Sequence, residues 1–153
     1  MNAELKKYRE QIDAIDDELL RLLNQRAGLA QQIGHVKGNG AVLRPEREAQ
    51  VLQRMVQANG GPLPNPGVTR LFTEIMSQCR ALEAPLRVAY LGPHGTFSEA
   101  AVFQRFGQAT DGLPADSIDG VFSAVESGAA NYGLVPVENS TEGAIGRTLD
   151  LLL

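Results

Sequence analysis

From Leu5 to Val36 the apolar residues recur at steps of three and four: Leu5, Tyr8, Ile12, Ile15, Leu19 and Leu22, then Leu29, Ile33 and Val36. That spacing belongs to a helix with a heptad seam. It predicts one helix over residues 4–37, roughly 50 Å long at ~1.5 Å per residue, too long for a compact monomer of the first 86 residues. Gly38 and Gly40 end it. Arg44-Pro45-Glu46-Arg47-Glu48 then opens a second helix, predicted over 45–59, with proline in the first turn and acids near the positive end of the dipole. Val51, Leu52, Met55 and Val56 are its apolar residues. The run Gly60-Gly61-Pro62-Leu63-Pro64-Asn65-Pro66 breaks the chain, Asn65 reading as an N-cap and Pro66 as the first helical position. A third helix over 66–84 carries Val68, Leu71, Phe72, Ile75, Met76, Cys79 and Leu82. Two short helices leave much of the long seam uncovered, and an intertwined homodimer would cover it.

Past residue 86 the pattern changes. Arg87–Leu91 reads as a strand, Gly92-Pro93-His94-Gly95 as a tight loop, and Thr96-Phe97-Ser98-Glu99 as a capping box opening a helix through Phe106. Ser117 is placed to cap a further helix carrying Ile118, Val121, Phe122 and Val125. Residues 133–137 read as another strand, leading into the polar cluster Glu138-Asn139-Ser140-Thr141-Glu142-Gly143 before a helix starting near Ala144. Strand, glycine loop and helix N-terminus form a generic anion cradle; the polar cluster is equally explained as a turn and a cap.

Composition divides at the same place. Residues 1–86 hold 11 Lys and Arg against 10 Asp and Glu, whereas 87–153 hold 3 against 8, within a net charge of −4. Two domains are therefore expected, 1–86 and 87–153. No basic run is present, which argues against a nucleic-acid partner. No apolar stretch is long enough to span a membrane. Met1 leads directly into a charged helix without a signal core, and a single cysteine cannot form an internal disulfide, so a cytoplasmic protein is the expectation. Two distant histidines and Cys79 do not make a zinc site.

Candidate chemistry begins at Arg26, where the heptad register calls for an apolar residue between Leu22 and Leu29. An unpaired buried charge costs several kcal/mol, about 3 or more, so a seam arginine needs an anion unless it snorkels or meets a glutamate. Lys37 follows eleven residues later, about 20° around the helix and roughly 16 Å along it, so two long cations lie on one side. Arg9, seventeen residues before Arg26, is about 100° away and faces a different partner. Lys37 also suits the helix C-terminus, and Arg47 with Glu48 is also readable as a solvated pair. Glu83 in the last turn of the third helix opposes the dipole and calls for a reason.

Taken together, Tyr8-Arg9-Glu10-Gln11-Ile12-Asp13, Leu22-Leu23-Asn24-Gln25-Arg26, Ile33-Gly34-His35-Val36-Lys37, Arg44-Pro45-Glu46-Arg47-Glu48 and Arg70-Leu71-Phe72 with Cys79 and Glu83 resemble the all-helical chorismate mutases, over residues 3–84. The resemblance implies a three-helix domain that works as a homodimer without a cofactor. It implies that Arg26 and Arg9 grip substrate carboxylates, Arg9 from the other subunit. Lys37 and Glu83 would flank the ether oxygen, Glu48 would receive the ring hydroxyl and Arg47 would support the carboxylate side. Arg44 stands where the best-known bacterial pattern has aspartate, and Cys79 where it has serine, a stronger hydrogen-bonding group. Glu83 stands where several members have glutamine. An ionised carboxylate would repel a developing oxyanion, so Glu83 has to carry a proton to donate there.

The second half resembles a different family. Val88-Ala89-Tyr90-Leu91-Gly92-Pro93-His94-Gly95-Thr96-Phe97-Ser98 and Tyr132-Gly133-Leu134-Val135-Pro136-Val137-Glu138-Asn139-Ser140-Thr141-Glu142-Gly143 are similar to the opening of the prephenate dehydratases. This implies part of a periplasmic-binding-protein-like α/β lobe, with Thr96, Ser98, Asn139, Ser140 and Thr141 as candidate site residues and prephenate as ligand. Mutase followed by dehydratase is the order of the bifunctional P-protein family of phenylalanine biosynthesis. The Thr-Arg-Phe motif of the dehydratases is not among these 153 residues, since Thr69-Arg70-Leu71 lies on a mutase helix. The dehydratase domain is therefore expected to be incomplete, and dehydratase activity absent from this polypeptide. The competing reading is a helical dimerisation module carrying a non-catalytic small-molecule-binding half-domain.

Overall fold

A computed structural model describes residues 2–37, 44–139, 143–144 and 151–152. It divides into two compact units, residues 1–40 and 41–153.

The first unit is one helix, α1 (Asn2–Lys37), of 36 residues. Its polar surface carries local pairs, Glu18 with Arg21 and Lys6 with Glu10, which at such exposure add little. Its seam is exposed: Tyr8, Ile12, Ile15, Leu19, Leu29 and Ile33 each keep half or more of their surface. Such a contiguous apolar stripe is the kind of surface that marks an interaction site.

The second unit begins with two helices that pack on one another, α2 (Pro45–Ala58) and α3 (Asn65–Ala81). Val51, Val68, Met76 and Cys79 are buried. The turn between these helices is tied by Asn59, whose Nδ2 donates to Leu63 O and Asn65 Oδ1, both at 2.8 Å, and whose Oδ1 accepts from Gly61 N at 3.1 Å. Asn65 is thus spent on the turn, and Pro64 takes the N-cap position expected of Asn65.

A parallel three-stranded sheet follows, built from β1 (Arg87–Leu91), β2 (Asp111–Ala115) and β3 (Tyr132–Leu134) in the order β2-β1-β3. Helix α4 (Phe97–Phe106) connects β1 to β2, and α5 (Ile118–Glu126) connects β2 to β3. The chain steps to one side of β1 and then to the other, and the two connecting helices pack on opposite faces of the sheet. Alternation along β1 serves both. Val88 and Tyr90 pack with Val102 and Phe106 of α4, while Ala89 packs with Val121 of α5. Ser117 Oγ accepts from Gly120 N at 3.0 Å, the N-cap expected of it. Among the described residues no helix is long and apolar enough to cross a membrane.

Strand β2 has no counterpart in the sequence reading, because Asp111-Gly112-Leu113-Pro114-Ala115 lacks a strand-like pattern. Its place at one side of the described sheet explains the composition. Proline is confined to such positions, where its missing N–H is not needed by a second neighbour. Gly143–Ala144 forms a short strand, β5, antiparallel to β4 (Glu138–Asn139), where a helix start was expected. Ser140 and Thr141 lie outside the described residues.

Candidate functional site

On α1, Arg26 is half-buried and partnered, and Arg9 is exposed. Lys37 is the last residue of that helix, its side chain outside the described residues.

In the second unit the candidates separate sharply. Glu48, in the first turn of α2, is buried, with Arg44 O accepting its backbone N–H at 3.0 Å. Its neighbour Arg47 is exposed and Arg44 half-buried. Cys79 is buried on α3. Glu83 is exposed in the turn after α3, which ends at Ala81, so the last-turn position expected of it is not where it stands.

Glu48 meets a residue that sequence reasoning passed over. Arg80 Nε lies 2.9 Å from Glu48 Oε2, and Arg80 is itself only 7% exposed. The Nε–H is not aimed for a hydrogen bond, so the contact is ionic rather than a directed bond. Arg80 Nη2 donates to Phe106 O, at the end of α4, at 2.8 Å. The same face of α3 makes two more bonds to that end, Gln108 N to Glu74 Oε2 at 2.8 Å and Ala109 N to Ser77 Oγ at 3.3 Å. A groove of about 490 Å³ runs beside these contacts, with Glu48, Thr69, Thr73, Gln104 and Arg105 among its walls. One signal was available: Arg80 is four residues beyond Met76 on the inward stripe of α3, so a charge there had to be buried.

The loop after β1 holds a second polar cluster. Tyr90 Oη donates to Glu99 Oε2 at 2.9 Å and lies 2.8 Å from His94 Nδ1, which is 2.6 Å from the same carboxylate oxygen. Gly95 N donates to Glu99 Oε1 at 2.9 Å. The hydrogen bond to His94, then those from Gly95 N and Tyr90, bring the Glu99 carboxyl down to about 2. Burial first, then Glu99, pushes the Tyr90 hydroxyl up to about 12.

The capping box predicted here takes another form. Glu99 reaches back to Gly95 N instead of Thr96 N, and Thr96, although at the N-cap, makes no side-chain cap bond. Its Oγ1 is buried without a hydrogen-bond partner among the described residues. Glycine at 95 permits the turn, since its φ is +85°. Ser98 is half-buried, and the Asn139 side chain lies outside the described residues. Thr96 and Ser98 stand at the carboxyl end of β1, next to β3, where strand order reverses and open α/β sheets bind ligands.

The chorismate mutase type II family model matches residues 8–84. The chain belongs to that family. The prephenate dehydratase model matches residues 88–153, beginning in β1. The chain is 55% identical over 145 residues to the bifunctional chorismate mutase/prephenate dehydratase of Neisseria gonorrhoeae, covering 95% of this chain and 40% of that protein. The proteins of that name from Pseudomonas aeruginosa and Escherichia coli K12 are 53% and 34% identical, over 98% and 97% of this chain and 43% of their own lengths. The chain thus spans about two fifths of the length of the curated relatives it matches. A helical mutase part is followed by a small parallel sheet with helices on both faces, which begins the dehydratase match.

Proposed function

We propose that the chain rearranges chorismate to prephenate, residues 1–86 acting as a mutase domain within an intertwined homodimer. The observation that carries this reading is the family match over 8–84, inside which Arg9, Arg26, Lys37, Arg47 and Glu48 all stand. Degenerate mutase domains that serve only to pair subunits are expected to lose several of these. The exposed seam of α1 supports the dimer, since a second copy supplies an equally apolar partner surface.

The rearrangement is unimolecular and needs neither a proton transfer nor a covalent intermediate. What the protein supplies is a reactive conformer and stabilisation of charge developing on the ether oxygen. In the proposed arrangement Arg26 and the second protomer's Arg9 hold the carboxylates. Arg47 adds to that positive side, Lys37 and Glu83 face the ether oxygen, and Glu48 accepts the ring hydroxyl. Arg44 and Cys79 line the same site with weaker roles.

For residues 87–153 we infer a share in prephenate recognition as part of a periplasmic-binding-protein-like dehydratase lobe, with Thr96, Ser98, Asn139, Ser140 and Thr141 at its ligand-binding edge. The 153-residue polypeptide is expected to form no phenylpyruvate from prephenate, because the Thr-Arg-Phe motif of the dehydratases is not among its residues. Tryptophan is absent, so chorismate consumption is readable by absorbance with little protein background. Turnover by the wild-type chain, and a loss of at least about a hundredfold in Arg26→Ala, are expected. A wild type without turnover would favour the dimerisation module.

A further inference from the structure

We propose that Arg80 is the positioning residue for Glu48: its guanidinium, pinned to the carboxyl end of α4, holds the Glu48 carboxylate in the place from which it meets the ring hydroxyl of the mutase substrate. This rests on the mutase reading, and within it on Glu48 as the hydroxyl acceptor.

A buried carboxylate needs a partner, and the ion pair at 2.9 Å supplies one. Arg80 is suited to do more than neutralise charge, because its planar fork holds Nε and Nη2 in fixed relation. With Nη2 bonded to Phe106 O at 2.8 Å, Nε has little freedom to swing away from Glu48. The anchor itself is firm. Phe106 O also accepts from Thr110 Oγ1 at 3.1 Å, and Glu74 and Ser77 bind the backbone of Gln108 and Ala109 from the preceding two turns of α3. Oε2 is the oxygen that faces the guanidinium, so in this proposal the hydroxyl is accepted at Oε1. The acceptor of the mutase site is thus aimed from the α/β part of the chain through one side chain. A lysine at position 80 has one nitrogen for two partners and cannot make both contacts at once.

The test is a double-mutant cycle on the 153-residue chain, with kcat/KM for chorismate referred to folded protein by circular dichroism. Glu48→Gln is expected to lower kcat/KM about ten- to hundredfold, the worth of a hydrogen bond to a charged group. Arg80→Met is expected to cost a similar factor when Glu48 is intact but less than about twofold when added to Glu48→Gln, because its effect passes through the carboxylate. Arg80→Lys is expected to recover part of the loss. A role in folding alone would change the folded fraction and leave kcat/KM per folded chain unaltered. Where Arg80→Met does not fold, the same cycle run with Arg80→Lys decides the matter. An active wild type with an impaired Glu48→Gln, whose Arg80 variants stay within about twofold or cost the same factor in both backgrounds, overturns this inference alone. A wild type without turnover, or a Glu48→Gln variant at full activity, overturns the reading beneath it and this inference with it.

Discussion

Gly107 and Ser77 approach so closely that a β-carbon on the glycine would overlap the serine's own β-carbon. Gly107 also has a φ of +89°, a region that L side chains rarely adopt. Gly107→Ala is therefore expected to destabilise the chain by about 2–4 kcal/mol, from overlap and backbone strain together. Urea unfolding measures it. Adding Ser77→Gly should return part of the loss by removing the overlapping carbon, and no recovery would mean that strain at φ accounts for all of it.

The Glu99 carboxyl stands at about 2 in the folded chain against an ordinary 4.5. A depressed folded value stabilises the native state fully above pH 4.5, and that contribution is lost as pH falls through about 2. The stability difference between wild type and Glu99→Gln should therefore shrink steadily on acidification across that window. A difference that holds constant from about pH 5 down to about pH 2.5 would contradict the assignment. Tyr90 works at the other extreme: its raised value, about 12 against 10, favours the neutral hydroxyl, and the associated stability fades as pH rises through about 12.

Two helix starts that look alike in sequence should respond differently to alanine. Ser117 Oγ accepts from Gly120 N, so Ser117→Ala is expected to cost about 1 kcal/mol. Thr96 has the same position at α4 but makes no cap bond, and its hydroxyl is buried without a partner among the described residues. Thr96→Val, which keeps the shape and removes the stranded hydroxyl, is expected to be neutral or slightly stabilising. Equal losses in the two variants, compared by denaturant midpoint, would refute the distinction.

Leu19 is 51% exposed on α1, so as an ordinary surface residue it would tolerate a charge within about 0.5 kcal/mol. If α1 pairs with a second copy along its seam, Leu19→Glu places two carboxylates in that interface. Dissociation to monomer and loss of mutase activity together are expected. Sedimentation velocity beside the chorismate assay checks both, and a dimer that survives the substitution would remove the seam from the interface.

Long-range order along the chain was legible wherever a period could express itself. The steps of three and four from Leu5 to Val36 have an uninterrupted helix behind them, because an uncovered helix face must state its partner surface in its own residues. The apolar run Val88-Ala89-Tyr90-Leu91 likewise reads as a strand, and β1 stands there. What stayed hidden depends on partners far away in sequence. Pro114 reads as a breaker until Tyr90 is seen beside it in register. Asn65 reads as a cap until Asn59 is seen to claim it. The site followed the same rule. Arg26 announced itself by breaking a heptad, whereas Arg80 matters because of Glu48 and Phe106, residues 32 positions before it and 26 after. Tyr90, His94 and Glu99 are close in sequence, yet only the fold of the 92–95 loop brings three polar atoms to one point.

The bonds that Glu74, Ser77 and Arg80 make to residues 106–109 bear on how such a chain can be recombined. A chimera that joins helices from one relative to an α/β part from another at the 82–86 connection inherits only half of a mortise and tenon. Grafts should succeed where the donor keeps glycine at 107 and the recipient keeps a small residue at 77, and should fail where either position has drifted. The practical breakpoint for shuffling therefore lies away from the obvious linker, on the far side of Thr110.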